Sequence, residues 1–462
     1  MKMWGTPVII FGSVLGVAGY FSLLGIDANH DGVIFKPALD VANGKVLFRD
    51  VFSHYGAMTS YLHAGALYVF GKKLIVIKLV TAIAYALAGL VMWGICREVM
   101  GRRGATLTTL GWLGLAPYFG QHAFAWPSAY GALMQTLAVW LVLRKKIGWE
   151  LGMVAAAAFW FKQSYLLLPV ALAVVLWRHE KIKAVVTGMA GVSVMAMLPI
   201  VVSGGLGAWW KQNIWVGYIN GRILGSQYDW RLVGKLLAAN PVWLVVPLIC
   251  LAMWILFVIQ GKRTEAAAGW LAVVSLVQYY PLADFSHMYW AVTPAFWLAG
   301  YGIYRLWRGG YRPVAVLAGL IIAGGIATGL NTGWVKVKTD RVTITRPSVL
   351  SGMKLTKEEA EFYRDVSDRM DQYLGDNPGK EFVILSSDAL YMTFTPRARN
   401  TLSMYANYSG VTSGVYAYDE ALTEFINNKK PLVLADGEAK IPTGYTVIKE
   451  WPQYKMKLIS KT

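Results

Sequence analysis

DANHDGVIFKPALDVANGKVLFRDVFSHY, residues Asp27 to Tyr55, is a polar stretch in an otherwise apolar chain. It follows an apolar run, 7–25, and precedes almost continuous apolar sequence. Only 15% of the 462 residues are charged, yet this stretch gathers Asp27, Asp31, Asp40 and Asp50 with His30, His54, Lys36, Lys45 and Arg49. A solvated loop held out of lipid by its charges has the same composition. The spacing adds a second reading. Asp27 and Asp31 are four residues apart, so a helical start to the stretch places both on one face, with His30 beside them. That grouping suits chemistry at a membrane surface.

Composition sets the class. Hydrophobic residues make up 56% of the chain, tryptophan numbers 20, and mean hydropathy is +0.43. An ordinary soluble domain is excluded and a polytopic membrane protein is indicated. The net charge of +18 does not point to nucleic acid, because many of the cations sit in short clusters between apolar runs, as in loops beside an anionic leaflet. Cys96 and Cys250 both fall at or within apolar runs, so no disulfide framework is implied. The run 7–25 follows a single lysine and has no small-residue cleavage site after it, which reads as an uncleaved first helix.

Runs of membrane length, about 20 residues with some shorter, cover 7–25, 74–96, 104–120, 127–143, 147–161, 164–177, 184–203, 241–260, 266–282, 288–304 and 313–330. Residues 56–70 are a further apolar run, and the basic residues decide its status. With 56–70 outside the count, Arg97/Arg102/Arg103, Arg144/Lys145/Lys146, Arg178/Lys181/Lys183, Lys262/Arg263 and Arg305/Arg308/Arg312 fall on one side with Lys2. Counting it as a span sends all of them to the other side, against the positive-inside rule. The expectation is about 11 spans, a cytoplasmic N-terminus, an outer loop 26–73 ending in a juxtamembrane helix, and residues 331–462 outside. Trp209, Trp210, Trp215 and Tyr218 alternate with Lys211, Arg222 and Arg231 between Ser203 and Asn240, which suits the headgroup layer. The tail reads as a small α/β domain. Thr356 and Glu359 make a capping-box pattern that opens a helix to about Leu374, and strand-like runs follow at Phe382–Leu385, Leu432–Leu434, Tyr445–Ile448 and Tyr454–Ile459.

Other polar residues fall in outer turns: Lys162 and Gln163 in FWFKQSYLLLP, Asp284 and His287 in PLADFSHMYW, and His122 in GQHAFAWPS. Ionisable groups at a membrane edge are costly to bury and mark function by default, although a lysine in a short hairpin also snorkels to the headgroups. No P-loop, GxGxxG, HExxH or nucleophile elbow occurs. Outside the membrane an activated substrate arrives on lipid, so the chemistry needs a carboxylate base, cations for a departing phosphate and a groove for a polyprenyl chain.

The pattern HDG-x7-DVANGKVLFRDVFSHYGAMTSYL, from His30, resembles the first outer loop of GT-C superfamily membrane glycosyltransferases, among them protein O-mannosyltransferases and aminoarabinose transferases. Lys162-Gln163 and Asp284/His287 also match recurring features of these enzymes. Two positions depart from the family pattern: His30-Asp31-Gly32 replaces an acidic pair, and Gly56-Ala57 replaces Gly-Pro. The resemblance implies a GT-C-like α-helical membrane domain over 1–330 in a bacterial inner membrane. It implies inverting transfer of a sugar from a polyprenyl-phosphate-linked donor to a glycan, lipid or protein acceptor, in cell-envelope polysaccharide biosynthesis. Asp31 would be the general base, with Asp27 or Asp50 tuning it or orienting the acceptor. Lys162, Gln163, Arg49 and His287 would hold the leaving phosphate, while His54, Asp284 and Tyr55 line the acceptor side. The resemblance fixes no certain cofactor. A divalent metal on Asp27, His30, Asp31 and His54 is the alternative, since oligosaccharyltransferase relatives use metal. A lipid or polysaccharide transporter or flippase is the competing class, and a polysaccharide ligase or polymerase shares the chemistry. A transporter carries midplane charges and repeat-related broken helices, whereas this chain places its charges at one face and shows no halves.

Overall fold

The computed structural model describes residues 5–177, 179–226, 228–280, 283–401, 416–437 and 439–461. Among the described residues the apolar runs fold mainly as helix, because a backbone in hydrocarbon must satisfy its hydrogen bonds within its own segment. Five helices among the described residues are long and apolar enough to cross a membrane: Gly5–Ser22, Leu74–Gly114, Ile182–Val202, Val242–Ile259 and Arg312–Lys338. Pro127–Leu143, Trp149–Phe161 and Gln163–Leu176 are shorter apolar helices. The runs 74–96 and 104–120 join in one 41-residue helix that breaks at Gly101, whose φ of 75° is left-handed. The late runs become Arg263–Val273, extended by a tight turn to Tyr279, and Phe285–Val292 leading into Phe296–Arg308. The last helix continues past Leu330 to Lys338.

Residues 26–73 are more ordered than a loop. Asp27 caps a helix over Ala28–Ala42, and a second helix spans Ala57–Phe70. The segment after Ser203 forms Leu206–Trp209, a π-helical turn Trp210–Trp215, then Val216–Ser226 and Trp230–Ala239. Its aromatic side is exposed at Trp210, Trp215, Tyr218 and Trp230, whereas Gln212 and Asn213 are buried. π-turns mark functional or strained places. Here the turn aims two amides at the first loop: Gln212 Nε2 donates to Phe48 O at 2.8 Å, and Asn213 Nδ2 to Tyr55 O at 2.6 Å.

The tail carries the expected capping box, with Glu359 N donating to Thr356 Oγ1 and Thr356 N to Glu359 Oε2, and its helix runs Lys357–Asp376. The sheet order is Phe382–Leu385, Leu432–Asp436, Met456–Lys461, Tyr445–Trp451, the first pair parallel and the others antiparallel. A two-stranded ribbon, Val342–Thr343 with Lys354–Leu355, was not apparent in the sequence. Lys354 joins it to the end of the first helix: Lys354 N donates to Leu23 O and Gly25 N to Lys354 O. The tail therefore packs directly on the loop end of the bundle. At the opposite end Arg144 pairs with Glu98 at 3.4 Å and Arg102 bonds Thr6.

Candidate functional site

Two helix starts build the site in the same way. Asp27 Oδ1 accepts from His30 N at 2.8 Å while its Oδ2 meets His30 Nδ1 at 2.8 Å. Asp284 Oδ1 accepts from His287 N at 2.9 Å while its Oδ2 meets His287 Nδ1 at 2.7 Å. An N-cap aspartate answers an orphan amide and the positive end of the helix dipole. With Nδ1 engaged by the carboxylate, each imidazole is left with Nε2 for other partners. The two pairs feel each other's charge, Asp284 acting on His30 and His30 on His287.

Burial pushes Asp27 up, but the His30 hydrogen bond and charge outweigh it and hold the carboxyl below its ordinary value. For His30 burial favours the neutral ring, and the bond to Asp27 overrides it to raise the pKa. His287 is more deeply buried, and burial wins there, lowering it despite Asp284. His54 is buried beside Lys162 and is driven down to about 3, first by burial and then by that charge. Lys162 donates to Ser128 Oγ at 2.7 Å, and burial brings it to about 8 against the pull of Asp284.

Aromatic rings wall this cluster. His30 stacks on Phe124 at 4.8 Å and meets Trp126 edge-on at 5.0 Å. Tyr55 meets Trp126 at 5.1 Å, His54 lies 4.1 Å from Tyr55, and His287 is 5.3 Å from Trp290. The structure thus gathers Asp27, His30, His54, Tyr55, Lys162, Asp284 and His287. A buried lysine, aromatic faces and two acid–imidazole pairs stand side by side.

The other acids are used differently. Asp31, read as the base, is fully buried and holds Lys78 Nζ at 2.8 Å, with Lys78 equally buried. It also accepts from Asp27 N at 3.0 Å, and burial lifts it to about 6 against the charge of Lys78. Enclosed in this way, Asp31 has no open edge for an acceptor hydroxyl. Asp50 and Arg49 pair bidentately with each other on the surface, and Asp50 also accepts from Val46 N. Those contacts, Arg49 first, bring Asp50 down to about 2; they shape the loop and do not join the cluster. Gln163 binds the carbonyls of His54 and Asn213, so it fixes the loop in place of facing a phosphate. Asp40 gathers Lys36 at 3.0 Å and Lys45 at 3.1 Å. Among the described residues no group of three or more His, Cys, Asp or Glu is arranged to hold a metal.

Three groups at the site escaped the sequence reading. Lys78 lies inside the run 74–96, where a lone lysine in LIVIKLV was the available signal. Beside it a narrow pocket is lined by Ser22, Thr81, Tyr85, His122, Ser286 and Trp290. Lys336, at the end of the last helix, bonds the carbonyls of Tyr118 and Gln121 next to that pocket. Asp388 comes from the tail. Asn29 Nδ2 donates to Ser387 O at 2.7 Å, which brings the neighbouring Asp388 towards Asp27 and His30. Burial, then the charges of Asp27 and Asp436, raise it to about 6.

No protein-family model matches the chain, and no curated protein sequence does. Solved structures do. ArnT from Cupriavidus metallidurans bound to undecaprenyl phosphate superposes with a TM-score of 0.58 at 15% identity, over 100% of this chain and 99% of that one. Its apo form gives 0.56 at 14% identity, over 98% of each chain. The Archaeoglobus fulgidus oligosaccharyltransferase, in complex with Zn and sulfate, gives 0.52 at 15% identity, over 92% of this chain and 68% of that one. The likeness is one of fold: the chain is a polytopic membrane protein with the GT-C fold and a small α/β tail.

Proposed function

We propose, taking the GT-C fold as premise, that the chain is an integral-membrane glycosyltransferase. It moves a sugar from a polyprenyl-phosphate-linked donor to an acceptor hydroxyl outside the membrane, with inversion. The observation that carries the reading is the meeting of the Asp27–His30 and Asp284–His287 pairs with Lys162 inside an aromatic wall at the loop end of an apolar bundle. The ArnT structure with undecaprenyl phosphate supports the donor class by analogy of fold.

In this scheme Lys162 and His287 hold the phosphate as the bond to the sugar breaks and negative charge builds on it. Lys78, buried against Asp31, borders the narrow pocket with the hydroxyls of Ser22, Thr81 and Ser286. Asp27, held by His30, takes the acceptor proton as the sugar becomes oxocarbenium-like. Asp31 keeps Lys78 in place. The enclosure of Asp31 is the reason for moving the base role to Asp27. The site faces out of the cytoplasm, and the membrane is the bacterial inner one.

Two variants test this. Lys162→Met should weaken binding of undecaprenyl phosphate, read as loss of its stabilising thermal shift. Asp27→Asn should bind it normally and lose about 10²–10⁴-fold in sugar transfer from a polyprenyl-phosphate-sugar pool. Unchanged binding in the first and near-normal transfer in the second would together remove the scheme.

A further inference from the structure

We infer that the chain carries a binding site for an anionic phospholipid at the end of the bundle far from the Asp27 cluster, in the cleft between Val242–Ile259 and Phe296–Arg308. The site is independent of the transfer reading. A cleft of about 260 Å³ lies there, many times the ~10–15 Å³ that one water needs on the same measure. Met253, Leu256 and Leu306 give it an apolar floor, and Gln260, Arg305 and Tyr311 stand around it. Met253 and Gly302 belong to the helix interiors, whereas Gln260 and Gly309 follow the helix ends. The cleft therefore runs from an apolar interior to a polar rim, the profile of an acyl chain joined to a headgroup.

Charge selects the headgroup. Lys262, Arg263, Arg305, Arg308 and Arg312 crowd these helix ends. Among the described residues none of the five forms an ion pair, although Glu265 lies in the adjoining turn. Lys262, Arg308 and Arg312 lie over the rings of Phe257, Tyr304 and Trp307, at 5.7, 5.9 and 5.6 Å. Arg305 lines the cleft itself, is exposed, and makes no side-chain hydrogen bond among the described residues. A guanidinium presents a planar fork that fits a phosphodiester. A free inorganic anion would leave the apolar floor uncovered, so the occupant is a lipid whose phosphate meets Arg305 and whose chain enters the cleft.

The test uses the full chain in detergent, with added phosphatidylglycerol or phosphatidylcholine and native mass spectrometry of the retained lipid. Wild-type protein should retain phosphatidylglycerol in preference. Arg305→Ala should cut that preference about fivefold, the worth of one cation at an anionic surface. Leu306→Trp, which fills the cleft and leaves every charge in place, should reduce retention of both lipids. Arg231→Ala, in the segment after Ser203, should change neither, and melting temperatures confirm that each variant is folded. Equal retention of the two lipids by wild-type protein would overturn the site. So would wild-type behaviour in both Arg305→Ala and Leu306→Trp.

Discussion

Asp31 and Lys78 sit 2.8 Å apart with neither side chain reaching solvent, and the Oδ1 of Asp31 has no partner among the described residues. Breaking such a pair leaves a buried uncompensated charge, which costs about 3–5 kcal/mol. Asp31→Asn should therefore lower the melting temperature and yield, and the double variant Asp31→Asn/Lys78→Gln should recover much of the loss. Were Asp31 an exposed base, the single variant would fold normally and the second change would do nothing. Asp388 yields a prediction with pH. Its pKa is raised, so its stabilising contribution is complete below the ordinary 3.8 and is lost as pH rises through about 6. A lift of that size is worth ~3 kcal/mol in full burial, and partial exposure reduces it to ~1–2 kcal/mol. Asp388→Asn should melt like wild type below pH 4 and higher than wild type at pH 7.5; a lower melting temperature at pH 7.5 would contradict the assignment. At this scale the sequence was legible for side chains bonded to near neighbours. Asp27–His30 and Asp284–His287 are each three residues apart, and both were singled out. Asp388 meets them only because the chain returns after more than 350 residues, and no local pattern encodes that return.

The helix over Ala28–Ala42 is the element on which the two halves of the chain meet. Residues 31–40 are all buried, because one side of the helix faces the bundle and the other faces the tail. Gly32 is the contact point: a Cβ there would lie 2.0 Å from Leu390 N and 2.4 Å from Ala389 C, both backbone. Backbone cannot swing aside as a long side chain does, so Gly32→Ala should part the short helix Ala389–Thr393 from its seat. We expect faster proteolysis of the tail at unchanged helical content, with Gly44→Ala reserved as no control because its φ of 89° carries its own strain. Gly65→Ala, with open space around its Cβ, should leave proteolysis unchanged. Equal protease resistance in Gly32→Ala and wild type would show that the contact is dispensable. Helices were the legible elements, since spanning runs and the Thr356/Glu359 capping box are local signals. The two-residue strands Val342–Thr343 and Lys354–Leu355 were not, because pairing across a turn and docking on Leu23 make them strands, and their own composition does not.

At the scale of the molecule, charge and architecture agree. Lys336 at the end of the last helix and Lys354 in the tail both bond to the end that holds the Asp27 cluster. The turns around Arg102 and Arg144 are linked to each other and to Thr6 at the other end. Under the positive-inside rule the second end is expected in the cytoplasm, which would put the Asp27 cluster and the tail outside together. Single cysteines test the placement, because Cys96 and Cys250 are fully buried. Asn43→Cys in the first loop and Gly437→Cys in the tail are exposed positions at the site end, and Lys145→Cys is an exposed position at the basic end. In intact cells made permeable only at the outer membrane, an impermeant maleimide should label the first two and spare the third. After lysis all three should react. Labelling of Lys145→Cys before lysis, or protection of Asn43→Cys, would invert the chain in the membrane. The sugar donor would then be met in the cytoplasm, where soluble nucleotide sugars make a polyprenyl carrier unnecessary, and the proposed chemistry would lose its reason for a lipid-linked substrate.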